Sequence, residues 1–108
     1  MIKAEVQGEY KEKLPAITFA SGCTYTGEWV YGEREGHGIQ SFPNGSTYEG
    51  EFKGNKINGR GKIVYEDGDI FEGEWAEGAA NGFGVYIHRN GAIHEGYWAD
   101  NLQSGQGV

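Results

Sequence analysis

Residues 48–70 read YEGEFKGNKINGRGKIVYEDGDI, and the 23 residues on either side repeat the pattern. The copy before, residues 25–47, is YTGEWVYGEREGHGIQSFPNGST; the copy after, residues 71–93, is FEGEWAEGAANGFGVYIHRNGAI. A further copy, HEGYWADNLQSGQGV, starts at His94 and stops about two-thirds of the way through. Self-similarity at a fixed period marks a repeat array, in which each unit is read through its neighbours.

Within a copy, Tyr48, Gly50 and Phe52 alternate with Glu49 and Glu51. Side chains of a strand point alternately to opposite faces, so this spacing predicts first strands over residues 25–29, 48–52 and 71–75. Second strands are expected over 38–42, 61–65 and 84–88. Pro43-Asn44-Gly45, Glu66-Asp67-Gly68 and Arg89-Asn90-Gly91 follow them. Asn-Gly and Asp-Gly favour type I′ turns, because both central residues need positive φ. Tight hairpins are therefore expected there, with a longer polar loop at VYGEREG on the opposite rim. The fold class that follows is all-β: an elongated, single-layer, twisted antiparallel sheet of tandem 23-residue β-hairpin repeats.

Three glycines recur at fixed offsets in each full copy: Gly27, Gly36 and Gly38, then Gly50, Gly59 and Gly61, then Gly73, Gly82 and Gly84. Gly96, Gly105 and Gly107 continue the series. A mid-strand glycine costs about 0.5–1 kcal/mol relative to alanine. Such a repeated cost implies a packing use, and the expected one is room for a ring over bare backbone. The rings are Tyr25, Tyr48 and Phe71 in one series, and Trp29, Phe52, Trp75 and Trp98 in the other. They supply a thin core, or part of the ladder lines a groove for a partner; both readings stand on sequence. Aromatic enrichment at interfaces supports the second.

Carried back one period, the frame sets Ile2 at the Tyr25 position, Val6 at Trp29, Phe19 at Phe42 and Gly22 at Gly45. Residues 1–24 thus read as a degenerate repeat acting as an N-terminal cap to the array of residues 25–108. Its middle, EYKEKLP, reads as a loop or short helical turn, with Pro15 limiting any helix.

Of 108 residues 20 are glycine but only 2 are proline, and the glycines follow no three-residue period, which excludes a collagen-like chain. With 16 acidic and 9 basic side chains the net charge is −7. That balance argues against nucleic acid as a partner and against contact with anionic membrane lipid. The single cysteine, Cys23, excludes an intramolecular disulfide and a cysteine-ligated zinc site. No signal peptide or apolar span is visible, so a cytoplasmic protein is expected. The array stops within a strand, which favours a piece of a longer protein over an edge that joins another subunit.

YEGEFKGNKINGRGKIVYEDGD resembles the MORN repeat (membrane occupation and recognition nexus), with its YxGxW strand, polar loop, GxG, short strand and turn glycine. The resemblance covers residues 25–107, and 2–24 in degraded form. Asn55 and Asn101 depart from the loop glycine of Gly32 and Gly78, His94 from the leading ring, and Tyr97 from the glutamate of Glu28, Glu51 and Glu74. The resemblance implies a curved or elongated antiparallel sheet and a scaffold or adaptor without enzymatic activity or cofactor. It further implies a protein partner, helical or extended, held along an aromatic-lined groove, or a homodimer, with cytoskeletal or ciliary settings. Alternatives it leaves open are an accessory domain of a lipid kinase or histone methyltransferase, and a weak acidic-phospholipid surface.

The ladder rings expected to meet a protein along the groove are Tyr25, Trp29, Tyr48, Phe52, Phe71, Trp75 and Trp98. Tyr31, Phe83 and Leu102 join them as apolar residues where sibling copies carry polar residues or glycine. Glu28, Glu49, Glu51, Glu72, Glu74 and Glu95 form an acidic ladder on the other face, with Arg34, Lys53, Lys56, Arg60 and Lys62 as expected counter-charges. GNKINGRGK lacks the Lys-Ser/Thr ending and following helix of a phosphate-binding loop. His37, His88 and His94 form no metal motif, and EDGD at 66–69 reads as a turn.

Overall fold

The structure, a computed structural model, describes residues 11–103, and side chains as far as residue 99. Eight strands follow one another: β1 (Glu12–Thr18), β2 (Thr24–Val30), β3 (Glu33–Ser41), β4 (Thr47–Lys53), β5 (Lys56–Val64), β6 (Ile70–Ala76), β7 (Ala79–Ile87) and β8 (Ile93–Gln103). They pair antiparallel in chain order into one sheet. The body measures 53 × 27 × 18 Å along its principal axes. Burial alternates as the sequence does: in β4, Tyr48, Gly50 and Phe52 are buried while Glu49, Glu51 and Lys53 are exposed.

The two rims exchange the turn types expected of them. Only two residues separate β3, β5 and β7 from the strands before them, so VYGEREG is not a loop. The connections Tyr31-Gly32, Gly54-Asn55 and Glu77-Gly78 have φ of 49 and 81°, 56 and 73°, and 54 and 88°. These are the type I′ turns, whose twist matches that of the strands they join. On the other rim only the glycine is left-handed: Gly45, Gly68 and Gly91, at φ 95, 99 and 99°. There the Gly45 N–H donates to the Phe42 carbonyl (3.0 Å) and the Phe42 N–H to the Ser46 carbonyl (2.9 Å). This is a type I turn closed by a glycine bulge, and Pro43, locked at negative φ, rules out type I′. The Asn44 carboxamide steadies it by accepting from the Ser46 N–H (2.9 Å).

The same turn appears one period earlier, where Gly22 N–H donates to Phe19 O (2.9 Å) and Phe19 N–H to Cys23 O (2.8 Å). Before it, EYKEKLP differs from expectation: residues from Glu12 onward form β1 rather than a loop or helical turn. The register slips between Leu14 and Ile17. Pro15 lies in that slip, where its missing N–H costs no ladder bond. Ile2, Val6, Gly105 and Gly107 lie outside the described residues.

A row of paired glycines crosses the sheet: Gly27 faces Gly38, Gly38 faces Gly50, and so on through Gly61, Gly73, Gly84 and Gly96. The Tyr48 ring lies over that row, so close that a Cβ on Gly61 would sit 2.0 Å from its hydroxyl and 2.3 Å from Cζ. The mid-strand glycines, where a ring over bare backbone was expected, thus face Gly38, Gly61 and Gly84, and the ring lies over these second glycines of GxG. Rings of successive hairpins then meet edge to face: Tyr25 with Phe52 at 4.9 Å, Tyr48 with Trp75 at 5.6 Å, Phe71 with Trp98 at 5.3 Å. Within each hairpin Tyr25–Trp29, Tyr48–Phe52 and Phe71–Trp75 repeat the geometry at 5.1, 5.4 and 5.4 Å. Each such pair contributes about 0.5–1.5 kcal/mol beyond area burial. One zigzag of rings, with Phe42, Ile57 and Ile63, is the core.

Each of the three full repeats also carries a bulge. Gly50 faces Gly61 but Phe52 faces Ile57, so β5 spends two more residues than β4 over that stretch. The same slip recurs between β2 and β3 and between β6 and β7. Gly59 takes φ 109° at the bulge, and a Cβ there would lie 2.1 Å from Glu51 Oε1. That carboxylate accepts from the Arg60 N–H freed by the bulge (3.0 Å), as Glu28 does from His37 (2.8 Å) and Glu74 from Phe83 (3.1 Å). The glutamate of YxGEW thus serves the framework.

Candidate protein-interaction surface

Of the rings expected to meet a partner, Tyr25, Trp29, Tyr48, Phe52, Phe71 and Trp75 are buried in the ladder. They are packed by one another, so no open groove runs along them. Burial pushes the Tyr25 phenol up to about 12 and raises Tyr48 further; each hydroxyl donates to a carbonyl of its own strand, Glu28 O (2.7 Å) and Glu51 O (3.0 Å). Trp75 and Trp98 donate Nε1–H to Gly61 O (3.1 Å) and Gly84 O (3.2 Å). Trp29 Nε1 is buried without a partner. Trp98, half-buried, ends the described ladder, and with Tyr86, His88 and His94 it lines an open hollow of about 440 Å³.

Arg34 was expected among the surface counter-charges and instead lies in the core, 4% exposed. Its guanidinium stands 5.1 Å from the Phe19 ring centre and 5.7 Å from that of Phe52. Nη1 donates to Gln40 Oε1 (2.6 Å), Nε to Asn55 Oδ1 (3.0 Å), and Nη2 to the Asn55 carbonyl. Asn55, the departure from the loop glycine, therefore both takes the left-handed turn position and clasps this cation. Desolvation lowers the Arg34 pKa, opposed by nearby Tyr25.

The acidic face is compensated only in part. Glu49 lies 3.6 Å from His37, Glu74 lies 3.7 Å from Arg60, and Lys56 lies 3.4 Å from Glu77. Lys62 sits in register between Glu49 and Glu72. The EDGD turn does more than turn: Asp69 accepts from the Arg89 N–H (2.9 Å) and the Tyr86 hydroxyl (2.8 Å), and these bonds, the first above all, depress its pKa. Among the described residues no group of three or more His, Cys, Asp or Glu is placed to hold a metal ion, and no helix is long and apolar enough to cross a membrane.

Exposed rings lie elsewhere. Tyr31 is 77% exposed at its turn, Phe83 40% and Tyr97 85%. Phe83 and Tyr97 face each other across β7 and β8 on the acidic face, ring centres 5.6 Å apart. Sibling units place His37 or Arg60 opposite Glu51 or Glu74 there. Sequence reasoning singled out Tyr31 and Phe83 but treated Tyr97 only as a departure; the missed signal was that both members of one cross-strand pair had changed together. Leu102, whose side chain lies beyond the described ones, stays an expectation.

The MORN-repeat pattern matches residues 25–47, 48–70, 71–93 and 94–108, most of the chain.
The chain belongs to the MORN-repeat family.
No curated protein matches it closely. As a MORN-repeat array it is a non-enzymatic protein-interaction module, with the fold held by the buried ladder and clusters of aromatic side chains at its surface. A protein partner is the ligand class that goes with such a module.

Proposed function

We propose that this MORN array is a scaffold or adaptor that holds a peptide or helical segment of a partner protein. The observation behind the reading is the Phe83–Tyr97 pair, exposed rings at positions where sibling units carry polar or charged residues. Exposed aromatic area of this kind is what interface hot spots are made of. The segment lies on surface rings toward the β7–β8 end rather than along the ladder, whose rings are filled by their neighbours. Residues 1–24 act as the cap in this reading, and a cytoplasmic, cytoskeleton- or cilium-associated setting goes with it.

The experiment compares baits in a pull-down from cell extract: the wild-type chain, and Phe83→Arg with Tyr97→Glu, each shown folded by circular dichroism. A protein retained by the wild type and lost by the folded double variant supports the reading. Equal retention by both baits refutes the role of these rings, and no retained protein on any folded bait refutes the adaptor.

A further inference from the structure

The outer face of the last three described strands differs from that of the rest of the array. Across β6, β7 and β8 it forms a grid. Ile70, Ile87 and Ile93 lie in one cross-strand row, Glu72, Val85 and Glu95 in the next, and Phe83 pairs with Tyr97 beyond them. After the exposed Asn81, the outward side of β7 is apolar to its end: Phe83, Val85, Ile87. On β5 the corresponding residues are Arg60, Lys62 and Val64, so the strip loses both positive charges one unit later. Lys62 separates Glu49 from Glu72, but only Val85 separates Glu72 from Glu95. Neither Glu72 nor Glu95 makes an ion pair among the described residues. Tyr97 also stands at the repeat position where Glu28, Glu51 and Glu74 bond the backbone of a bulge in the following strand.

We propose that this patch is a docking site for one amphipathic helix of a partner protein, laid along β7 with an apolar stripe on Phe83, Val85 and Ile87 and Lys or Arg on both flanks, against Glu72 and Glu95. The inference rests on the adaptor reading and adds the occupant. Its dimensions agree. Phe83 and Ile87 are four residues apart on a strand, about 13 Å, and a helix rises about 10.5 Å from i to i+7. Glu72 and Glu95 flank Val85 two strand spacings apart, about 9.6 Å, against a helix about 10–12 Å wide. A sheet face offers no free backbone groups, so an extended segment would leave its own N–H and C=O unpaired, whereas a helix satisfies them itself. The partner's cations take the place that Lys62 fills one unit earlier. A second copy of the chain, itself at −7, would bring more carboxylates to these ones.

The test uses the full chain and a synthetic probe: an alanine-based helical peptide with leucines at i, i+4 and i+7 and lysines on both flanks of that stripe. Two controls replace the lysines by glutamates or scramble the stripe. Binding is followed by amide chemical shifts of the ¹⁵N-labelled chain. The variant carries Phe83→Arg with Tyr97→Glu, residues that sibling units carry at those positions, so its melting should stay close to wild type. The expected result is shifts centred on β7 and β8 outward positions, binding weakened about tenfold or more by the variant, and little binding of either control. Shifts centred on Tyr86, His94 and Trp98 overturn the site but leave the adaptor reading standing. Equal binding of the glutamate peptide overturns the basic partner, and no binding up to about 1 mM overturns the helix altogether. Self-association in sedimentation that the double variant abolishes, or vesicle binding by the wild type in place of peptide binding, also overturns it in favour of a second copy or a membrane.

Discussion

Replacing Gly61 by alanine tests the packing on which the whole array depends. The three atoms nearest the new Cβ all belong to Tyr48, at 2.0 Å (hydroxyl), 2.3 Å (Cζ) and 2.4 Å (Cε1). That ring has nowhere to go: it meets Phe52 and Trp75 edge to face at 5.4 and 5.6 Å, and its hydroxyl is bonded to Glu51 O. Overpacking a tight core costs about 1–3 kcal/mol, and three contacts under 3 Å against an immobile ring put this one at ~3 kcal/mol. For a chain of this size that lowers the melting temperature by roughly 12 °C or more. Gly54→Ala is the control. It has nothing within 4 Å of the new methyl and only the left-handed φ of 56° to penalise it, about 1 kcal/mol. Urea unfolding followed by tryptophan fluorescence compares the two. A cycle with Tyr48→Ala isolates the collision: Gly61→Ala should lose at least ~1 kcal/mol of its cost once the ring is gone. Equal costs for Gly61→Ala and Gly54→Ala, or no coupling to Tyr48, would refute the ring-over-glycine account.

Glu51→Ala frees the Arg60 N–H at the bulge. That amide should exchange hydrogen about fivefold or more faster while Glu51→Gln keeps most of the protection, as the lost bond is partly exposed and worth ~1 kcal/mol. Arg34→Ala strands Gln40 and Asn55 as well as a hole among Phe19, Tyr25 and Phe52; ~3 kcal/mol of lost stability is expected in denaturant unfolding, and Arg34→Lys should recover less than half. Burial raises Tyr25 to about 12, so its contribution is complete below tyrosine's ordinary value and is lost as the pH rises toward 12. Tyr48, Tyr65 and Tyr86 shift the same way. The tyrosinate absorbance of these four phenols, beyond what the exposed Tyr31 and Tyr97 contribute, should therefore appear together with the loss of the circular dichroism signal; full ionisation of these four in a still-folded chain around pH 10 would contradict the burial.

Sequence alone determined the all-β class, the 23-residue unit, the faces of each strand and the packing use of the repeated glycines, because period-two alternation and the absence of a Cβ are local properties. The turn types were not legible in the same way. Asn44-Gly45 carries the dipeptide of a type I′ turn, yet the loop length and Pro43 make it type I with a bulge, while Tyr31-Gly32 and Glu77-Gly78 take left-handed geometry because the twist of their strands demands it. Nor does a glutamate announce whether it faces water or caps a bulge, or an arginine whether it pairs on the surface; Glu51 and Arg34 were settled by which backbone and which rings stood beside them. The exposure of the ladder rings was a tertiary matter too. Tyr48 is covered by a tryptophan 27 residues further along the chain, Trp75, whereas Tyr97 meets Phe83 yet stays exposed. Strand pattern assigns a side chain to a face, but only the neighbouring hairpins decide whether that place is filled.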